Sequence, residues 1–272
     1  MNLMYCGDSN TIDGIMLSLI SIIKYVKKPL NVYILSMDFD NHKSLKKYDI
    51  KHLEKILKEV NKDSKIKLYD MKDKYETLIP LKNINTRFTP YCMLRLYADM
   101  IDDIPDKILY LDYDVLCNKD FSDFYNLDID SYEVVGVLDY YGSHIYKKNI
   151  FKKDYMNSGV LLLNMKKIKE TKLFYRARCM CHDKKMLLPD QSALNYLSKY
   201  KLIVDRKYNE QISMYDDVVF RHFSTTFKFF PRFKTQTIKP WNVEKLHNVL
   251  NIYCFDDVLD IYNKEKRVMY NE

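Results

Sequence analysis

Apolar residues along the first seventy positions fall into two patterns, short unbroken runs and helical spacing. Asn2-Leu3-Met4-Tyr5-Cys6 is a run that reads as a buried strand. A polar turn, Gly7-Asp8-Ser9-Asn10-Thr11, follows at once. Ile12, Ile15, Met16, Leu19, Ile20 and Ile23 then line one face of an α-helix, which Lys27-Lys28-Pro29 ends. Val32–Leu35 reads as a second strand. Leu53, Ile56, Leu57 and Val60 mark a second amphipathic helix, and Ile66–Tyr69 a third strand. Strand and helix in alternation predict an α/β protein with a parallel sheet covered on both faces. In such sheets ligands sit beyond the carboxyl ends of the strands. The turn at 7–11 lies at such an end. It is no glycine-rich dinucleotide loop, because G-x-G-x-x-G does not occur.

Further on, residues 91–101 read as helical, and the apolar run Lys107–Leu116 is interrupted by Asp112 and Asp114. Val134–Leu138 predicts a strand. Val160–Leu163 predicts another, entered through Asn157-Ser158-Gly159. Leu173–Met180 and Ser192–Leu197 read as helices. Val218–Phe220 reads as a short strand ending before His222, and Val243–Leu250 and Val258–Tyr262 as a helical end. Neither a repeat nor a linker forces a domain boundary.

Composition narrows the class. In 272 residues, 5 Gly and 7 Pro exclude low-complexity and collagen-like chains. A net charge of +7 suits an anionic ligand or plain solubility, and is too diffuse to mark a nucleic-acid binder. No apolar run reaches the roughly 18 residues that span a bilayer. The longest, Gly14–Ile23, sits between Asp13 and Lys24. The N-terminus shows no secretory leader, so Cys6, Cys92, Cys117, Cys179, Cys181 and Cys254 read as free thiols in a reducing cytoplasm. Cys179-Met180-Cys181-His182 lacks a second ligand pair at zinc-site spacing and reads as ordinary helix.

The sharpest chemical feature is Asp112-Tyr113-Asp114. Side chains two apart on a strand share a side. Paired carboxylates there repel unless a hard cation sits between them. A bound divalent ion could then stabilise a departing diphosphate. Two solvated aspartates would look the same. His222 could add a nitrogen ligand of the kind manganese takes. Lys228 opens a basic–aromatic segment running to Lys234 that could offset phosphate charge. Asp190-Gln191 follows Pro189 at a helix start and could reach into a cleft or merely cap the helix. Two rival readings stand beside these. One is a phosphatase of the haloacid dehalogenase type, with one of the two aspartates as nucleophile. The other is a non-enzymatic basic and aromatic binding module, resting on 228–234 and Lys264-Glu265-Lys266-Arg267.

Taken in order, Cys6–Asn10, Arg95, Lys107–Leu116, Asn157–Asn164, Asp190-Gln191 and His222 with Lys228 make the chain similar to glycosyltransferase family 8, from about Leu3 to Trp241. That resemblance implies a GT-A fold: a Rossmann-like, mostly parallel central sheet flanked by helices. It implies a catalytic domain over 1–242 and a helical C-terminal extension over 243–272, packed on or beside it. It implies a retaining hexosyltransferase that moves glucose or galactose from UDP-glucose or UDP-galactose to a glycan or other hydroxyl acceptor. Mn2+, or Mg2+ in its place, would be held by Asp112, Asp114 and His222. Asp8 and Asn10 would contact the nucleoside, Arg95, Asp139 and Asn157 the diphosphate or sugar, and Lys228 the diphosphate. Asp190 and Gln191 would face the reacting carbon. The same resemblance places the protein in the cytoplasm or at the inner face of a membrane, with at most peripheral attachment. Two departures matter. Thr11 stands where the family often has a base-stacking Tyr. No Gly lies between His222 and Lys228, so Lys239, before Pro240-Trp241, competes with Lys228 as the diphosphate lysine.

Overall fold

A computed structural model of the chain describes residues 1–84, 90–145, 154–228 and 234–270. Its strands are β1 (Asn2–Cys6), β2 (Asn31–Ser36), β3 (Lys65–Asp70), β4 (Lys107–Leu111), β5 (Val115–Cys117), β6 (Val134–Gly136), β7 (Val160–Asn164), β8 (Lys201–Ile203), β9 (Phe220–His222), β10 (Thr226–Lys228) and β11 (Lys234–Gln236). Seven of them form one sheet in the order β3-β2-β1-β4-β7-β6-β8. Strands β3, β2, β1 and β4 are parallel, and β6 is parallel to β8. Only β7 runs against its neighbours, β4 and β6. Strands β5 and β9 pair separately, as do β10 and β11.

The inner strands β1, β2, β4, β6 and β7 are buried on both faces, as continuous apolar strands require. Leu3 and Tyr5 of β1, Leu109 and Leu111 of β4, and Val160 and Leu162 of β7 join one apolar cluster. Their alternates Met4, Cys6, Ile108, Tyr110, Leu161 and Leu163 join the other. The helices Ile12–Tyr25, Lys47–Val60 and Asp256–Tyr270 cover the first face, and the segments Pro90–Met100, Met165–Thr171, Leu173–Asp183 and Pro189–Leu197 the second. Each fully buried Leu in this arrangement contributes about 1.5–3 kcal/mol. The C-terminal helix shares its core residues Val258, Leu259, Tyr262 and Met269 with the first cluster. Its Lys266 pairs with Asp13 at 2.7 Å. All six cysteines are free. Among the described residues, no helix is long and apolar enough to cross a membrane.

Three expectations from the sequence change. The segment expected as a helix at 91–101 winds instead as 3-10 turns over Pro90–Met100. Eight of its eleven residues are buried, so packing against the sheet, not local propensity, sets the winding. The strand expected at 134–138 ends at Gly136, with Leu138 making only an isolated bridge to Met156. The strand expected at Val218–Phe220 lies two residues later, because Cys117 pairs with Phe220 and Val115 with His222. His222 therefore stands within a strand rather than after one.

Candidate active site

Asp112 and Asp114 converge for a reason other than strand alternation. Strand β4 ends at Leu111, and Val115 N donates to Asp112 O at 3.1 Å, closing a tight turn that leads into β5. The turn, and not a pleat, brings the two carboxylates together. The pairing of β5 with β9 then sets Val115 opposite His222. His222 Nε2 lies 3.3 Å from Asp114 Oδ1 and 3.7 Å from Asp112 Oδ2. One ligand atom from each of the three residues lies within 4.8 Å of the others. Gly159 makes room for this. A Cβ there would fall 2.2 Å from His222 Cε1, so any side chain would displace the imidazole.

The residues fit a divalent cation. Two carboxylates and one imidazole form a mixed oxygen–nitrogen donor set. The imidazole is also held in the right form. Its Nδ1 faces Asn209 Oδ1 at 3.2 Å, and an amide oxygen only accepts, so Nδ1 carries a proton and Nε2 is the nitrogen left to ligate a cation. Asn209 carries no sequence signal. It does its work from thirteen residues before His222, a separation only the fold closes. Asn209→Leu should weaken Mn2+ binding about 10–100-fold. Calorimetric titration of the metal checks this, and unchanged affinity would mean that Asn209 is only packing.

Among the described residues, Arg95 and Lys239 pair with the carboxylates of the cleft. Arg95 is buried. Its Nη2 lies 3.1 Å from Asp112 and 3.3 Å from Asp190, its Nη1 donates to Ser158 O, and its guanidinium lies 3.8 Å over the Tyr110 ring. Burial alone would lower its pKa, but Tyr110, Asp112 and Asp190 push it higher still. Lys239 Nζ lies 2.5 Å from Asp114 Oδ2. Burial would raise the Asp114 pKa, yet Lys239 and His222 hold it well below the usual carboxylate range. Lys239 is thus the lysine seen at the carboxylates. The side chain of Lys228 lies outside the described residues.

The other expected residues form a connected set. Asp190 and Gln191 occupy the first turn of the helix Pro189–Leu197. Burial pushes the Asp190 carboxyl up, with Arg95 acting against the rise. Gln191 Oε1 accepts from Ser158 N at 3.0 Å, and Ser158 Oγ reaches Asp190 at 3.3 Å. Asp139 Oδ2 accepts from Gln191 Nε2 at 3.2 Å and from Asn157 Nδ2 at 3.0 Å. Asn157 Oδ1 accepts from Asn209 Nδ2 at 2.9 Å. Asp112, Arg95, Asp190, Ser158, Gln191, Asp139, Asn157, Asn209 and His222 thereby make one chain of contacts that starts and ends at the metal donors. Asp8 and Asn10 lie apart from it, at the end of β1, where Asp8 accepts from Asn10 N at 3.1 Å and Asn10 Nδ2 at 3.0 Å. Strand β1 is parallel to β4, so Asp8 and Asp112 leave the sheet at the same edge.

The chain is similar to known proteins. A putative glycosyltransferase of Haemophilus influenzae is 25% identical over 228 residues, covering 78% of this chain and 57% of its own length. The lipopolysaccharide glucosyltransferase WaaO of Escherichia coli is 28% identical over 231 residues, covering 79% of this chain and 64% of its own length. The chain thus spans about three-fifths of these relatives. The crystal structure of the galactosyltransferase LgtC with donor and acceptor sugar analogues superposes with a TM-score of 0.70 at 16% identity, over 97% of this chain and 96% of the other, and so shares the fold. The sequence profile of glycosyl transferase family 8 matches residues 2–245, and the chain belongs to that family.

Proposed function

We propose that the protein transfers a hexose, glucose or galactose, from a UDP-sugar to a hydroxyl of a glycan acceptor, with Mn2+ or Mg2+ and with retention at the anomeric carbon. It would do so in the cytoplasm or at the inner face of a membrane. One observation carries the reading. A single buried guanidinium, Arg95, touches both Asp112 among the metal donors and Asp190 beside Gln191. The diphosphate end and the sugar end of one ligand would therefore be fixed against each other.

In this reading Asp112, Asp114 and His222 hold the cation, and the chemistry supplied there is charge neutralisation on the departing diphosphate. Lys239 turns from Asp114 to a diphosphate oxygen once the carboxylates are otherwise compensated. Asp190 holds a sugar hydroxyl and Gln191 lies against the reacting carbon. Gln191 is an amide with its oxygen already accepting from Ser158, and this favours displacement on one face over a covalent sugar–enzyme bond. The acceptor oxygen bonds to the anomeric carbon, the bond to the diphosphate breaks, and the acceptor proton passes to a diphosphate oxygen. Asp139 and Asn157 set the position of Gln191 and of the sugar pocket.

The rival readings have less support. Family membership displaces the phosphatase, and Asp112 Oδ1 already accepts from Tyr110 Oη at 2.6 Å. For the binding module, Lys266 is paired with Asp13, and Glu265 lies 3.2 Å from His52. Residues 229–233 lie outside the described part of the chain.

The test is a thermal-shift panel of UDP-glucose and UDP-galactose, each with and without Mn2+, followed by proton NMR of the product anomer. Binding to the native state alone raises Tm, by about 2.7 kcal/mol of stabilisation at a hundred-fold excess over Kd. The expected result is a shift with one UDP-sugar that needs Mn2+, and an axial product linkage. Equal shifts with and without the ion would sink the metal's role, and an inverted anomer would sink retention.

A further inference from the structure

The turn after β1 carries no aromatic ring. Thr11 has no ring. It is buried, and its hydroxyl is spent on Asp8 O at 2.7 Å. It is also wedged under the chain, since a Cβ on Gly7 would lie 2.0 Å from Thr11 Oγ1. Thr11 therefore offers a base no face to stack on.

A different segment brings a ring to the Asp8 carboxylate. After β2 the chain turns back at 39–42, where Phe39 N and His42 N each donate to the other residue's carbonyl, at 3.0 and 2.9 Å. Asp40 takes a left-handed conformation, φ 49°, at the tip, as Asp tolerates in tight turns. This hairpin is clasped to the first turn of the cleft. Ser9 N donates to Lys43 O at 2.7 Å, and Asp38 Oδ1 accepts from Ser44 N at 2.7 Å. The clasp delivers His42. Its Nδ1 lies 2.5 Å from Asp8 Oδ2, and its ring centroid lies 5.8 Å from that of Tyr91. Tyr91 is itself locked by donating to Met37 O at 2.8 Å. Asp8 is buried, whereas the His42 side chain is 37% exposed.

We propose that His42 is a nucleobase contact of the donor site, taking the stacking role that Thr11 cannot. The inference rests on the nucleotide-sugar reading above. Three observations support it. The ring is partly exposed although both its edge and its backbone are tied down, so its free face costs little further ordering when covered. It is joined to Asp8, at the sheet edge that also carries Asp112, which is the side from which a nucleoside would extend away from a bound diphosphate. Its companion Tyr91 lies against it with the ring planes tilted by 60°, so the imidazole is steadied on one side by a second aromatic ring. The ligand chemistry is a planar base attached to a diphosphate.

The experiment compares UDP with inorganic pyrophosphate, each in Mn2+, by isothermal titration against wild type, His42→Ala and His42→Phe. Stacking of one base on a ring accounts for roughly a ten-fold change in affinity on truncation to Ala. His42→Ala should bind UDP about ten-fold more weakly, bind pyrophosphate as wild type does, and His42→Phe should regain most of the UDP affinity. Equal UDP affinity in wild type and His42→Ala would overturn the assignment. Parallel loss of UDP and pyrophosphate would also overturn it, since that marks a general disturbance of the site. Wild-type protein that binds no UDP would overturn the nucleotide-sugar reading itself, and the assignment with it.

Discussion

Asp114→Asn should lower metal-dependent sugar transfer by about a thousand-fold or more, with the fold intact. The size follows from what is removed. Asp114 is a buried carboxylate within reach of His222 Nε2 at 3.3 Å and Lys239 Nζ at 2.5 Å. Burial would raise its pKa, but Lys239 and the His222 contact hold it below the ordinary carboxylate range, so it stays ionised. An amide has nearly the same shape and no charge. The cation then loses one of two anionic ligands, and the departing diphosphate loses the charge compensation that the ion provides. Comparable losses of preorganised electrostatic support cost about 10²–10³ in rate for a single donor, and a metal ligand should cost at least the upper figure. The measurement is kcat/KM across a Mn2+ titration, with circular dichroism to check folding. Transfer near the wild-type rate in folded Asp114→Asn would remove Asp114 from the metal site.

Arg95→Leu should cost stability as well as activity. Its guanidinium is sealed between Asp112, Asp190, the carbonyls of Cys92 and Ser158, and the Tyr110 ring. Leucine leaves the buried Asp190 without its cation and Ser158 O without a donor. Breaking a buried charge pair from one side costs about 3–5 kcal/mol. Urea denaturation should show the midpoint falling with an unchanged slope. Arg95→Lys should rescue little, because one ammonium cannot reproduce a planar fork that serves two carboxylates and two carbonyls. A stability loss under 1 kcal/mol would show that the cleft has another way to compensate Asp190.

The sequence made some of this legible and hid the rest for physical reasons. Local periodicity carried β1, β2, β3 and the helix Ile12–Tyr25, since each buries a face whose spacing shows in a window of a few residues. Asp112 and Asp114 were conspicuous because two charges interrupt an apolar run. Their convergence was foreseen on the wrong ground, because the turn that ends β4 cannot be told from a longer strand until Val115 is seen to pair with His222. The two-residue displacement of β9 has the same origin: strand register is set by the partner, not by the strand's own residues. Asn209 and His42 gave no signal at all. Each matters through one contact, to His222 and to Asp8 respectively, and neither contact is local in the chain. Lys239 was visible as a competitor to Lys228, and its place at Asp114 came only with the fold.

The chain of contacts running from Asp139 to His222 has a direction, and direction has a consequence for altering the enzyme. A carboxylate oxygen can only receive protons. Asp139 therefore obliges Asn157 to present its NH2, which turns the Asn157 oxygen toward Asn209. Asn209 must answer with its own NH2, which turns its oxygen toward Nδ1 of His222. The polarity set at Asp139 is thus read out, through two amides, as the nitrogen on which the imidazole keeps its lone pair. Gln191 hangs from the same Asp139 oxygen. Replacing Asp139 with an amide would remove one of two contacts that fix this orientation; the other is Gly159 N, which donates to Asn157 Oδ1 at 2.9 Å. Under the proposed function, Asp139 would touch both donor choice and metal affinity, so a variant selected for a new sugar should be screened for its cation requirement at the same time.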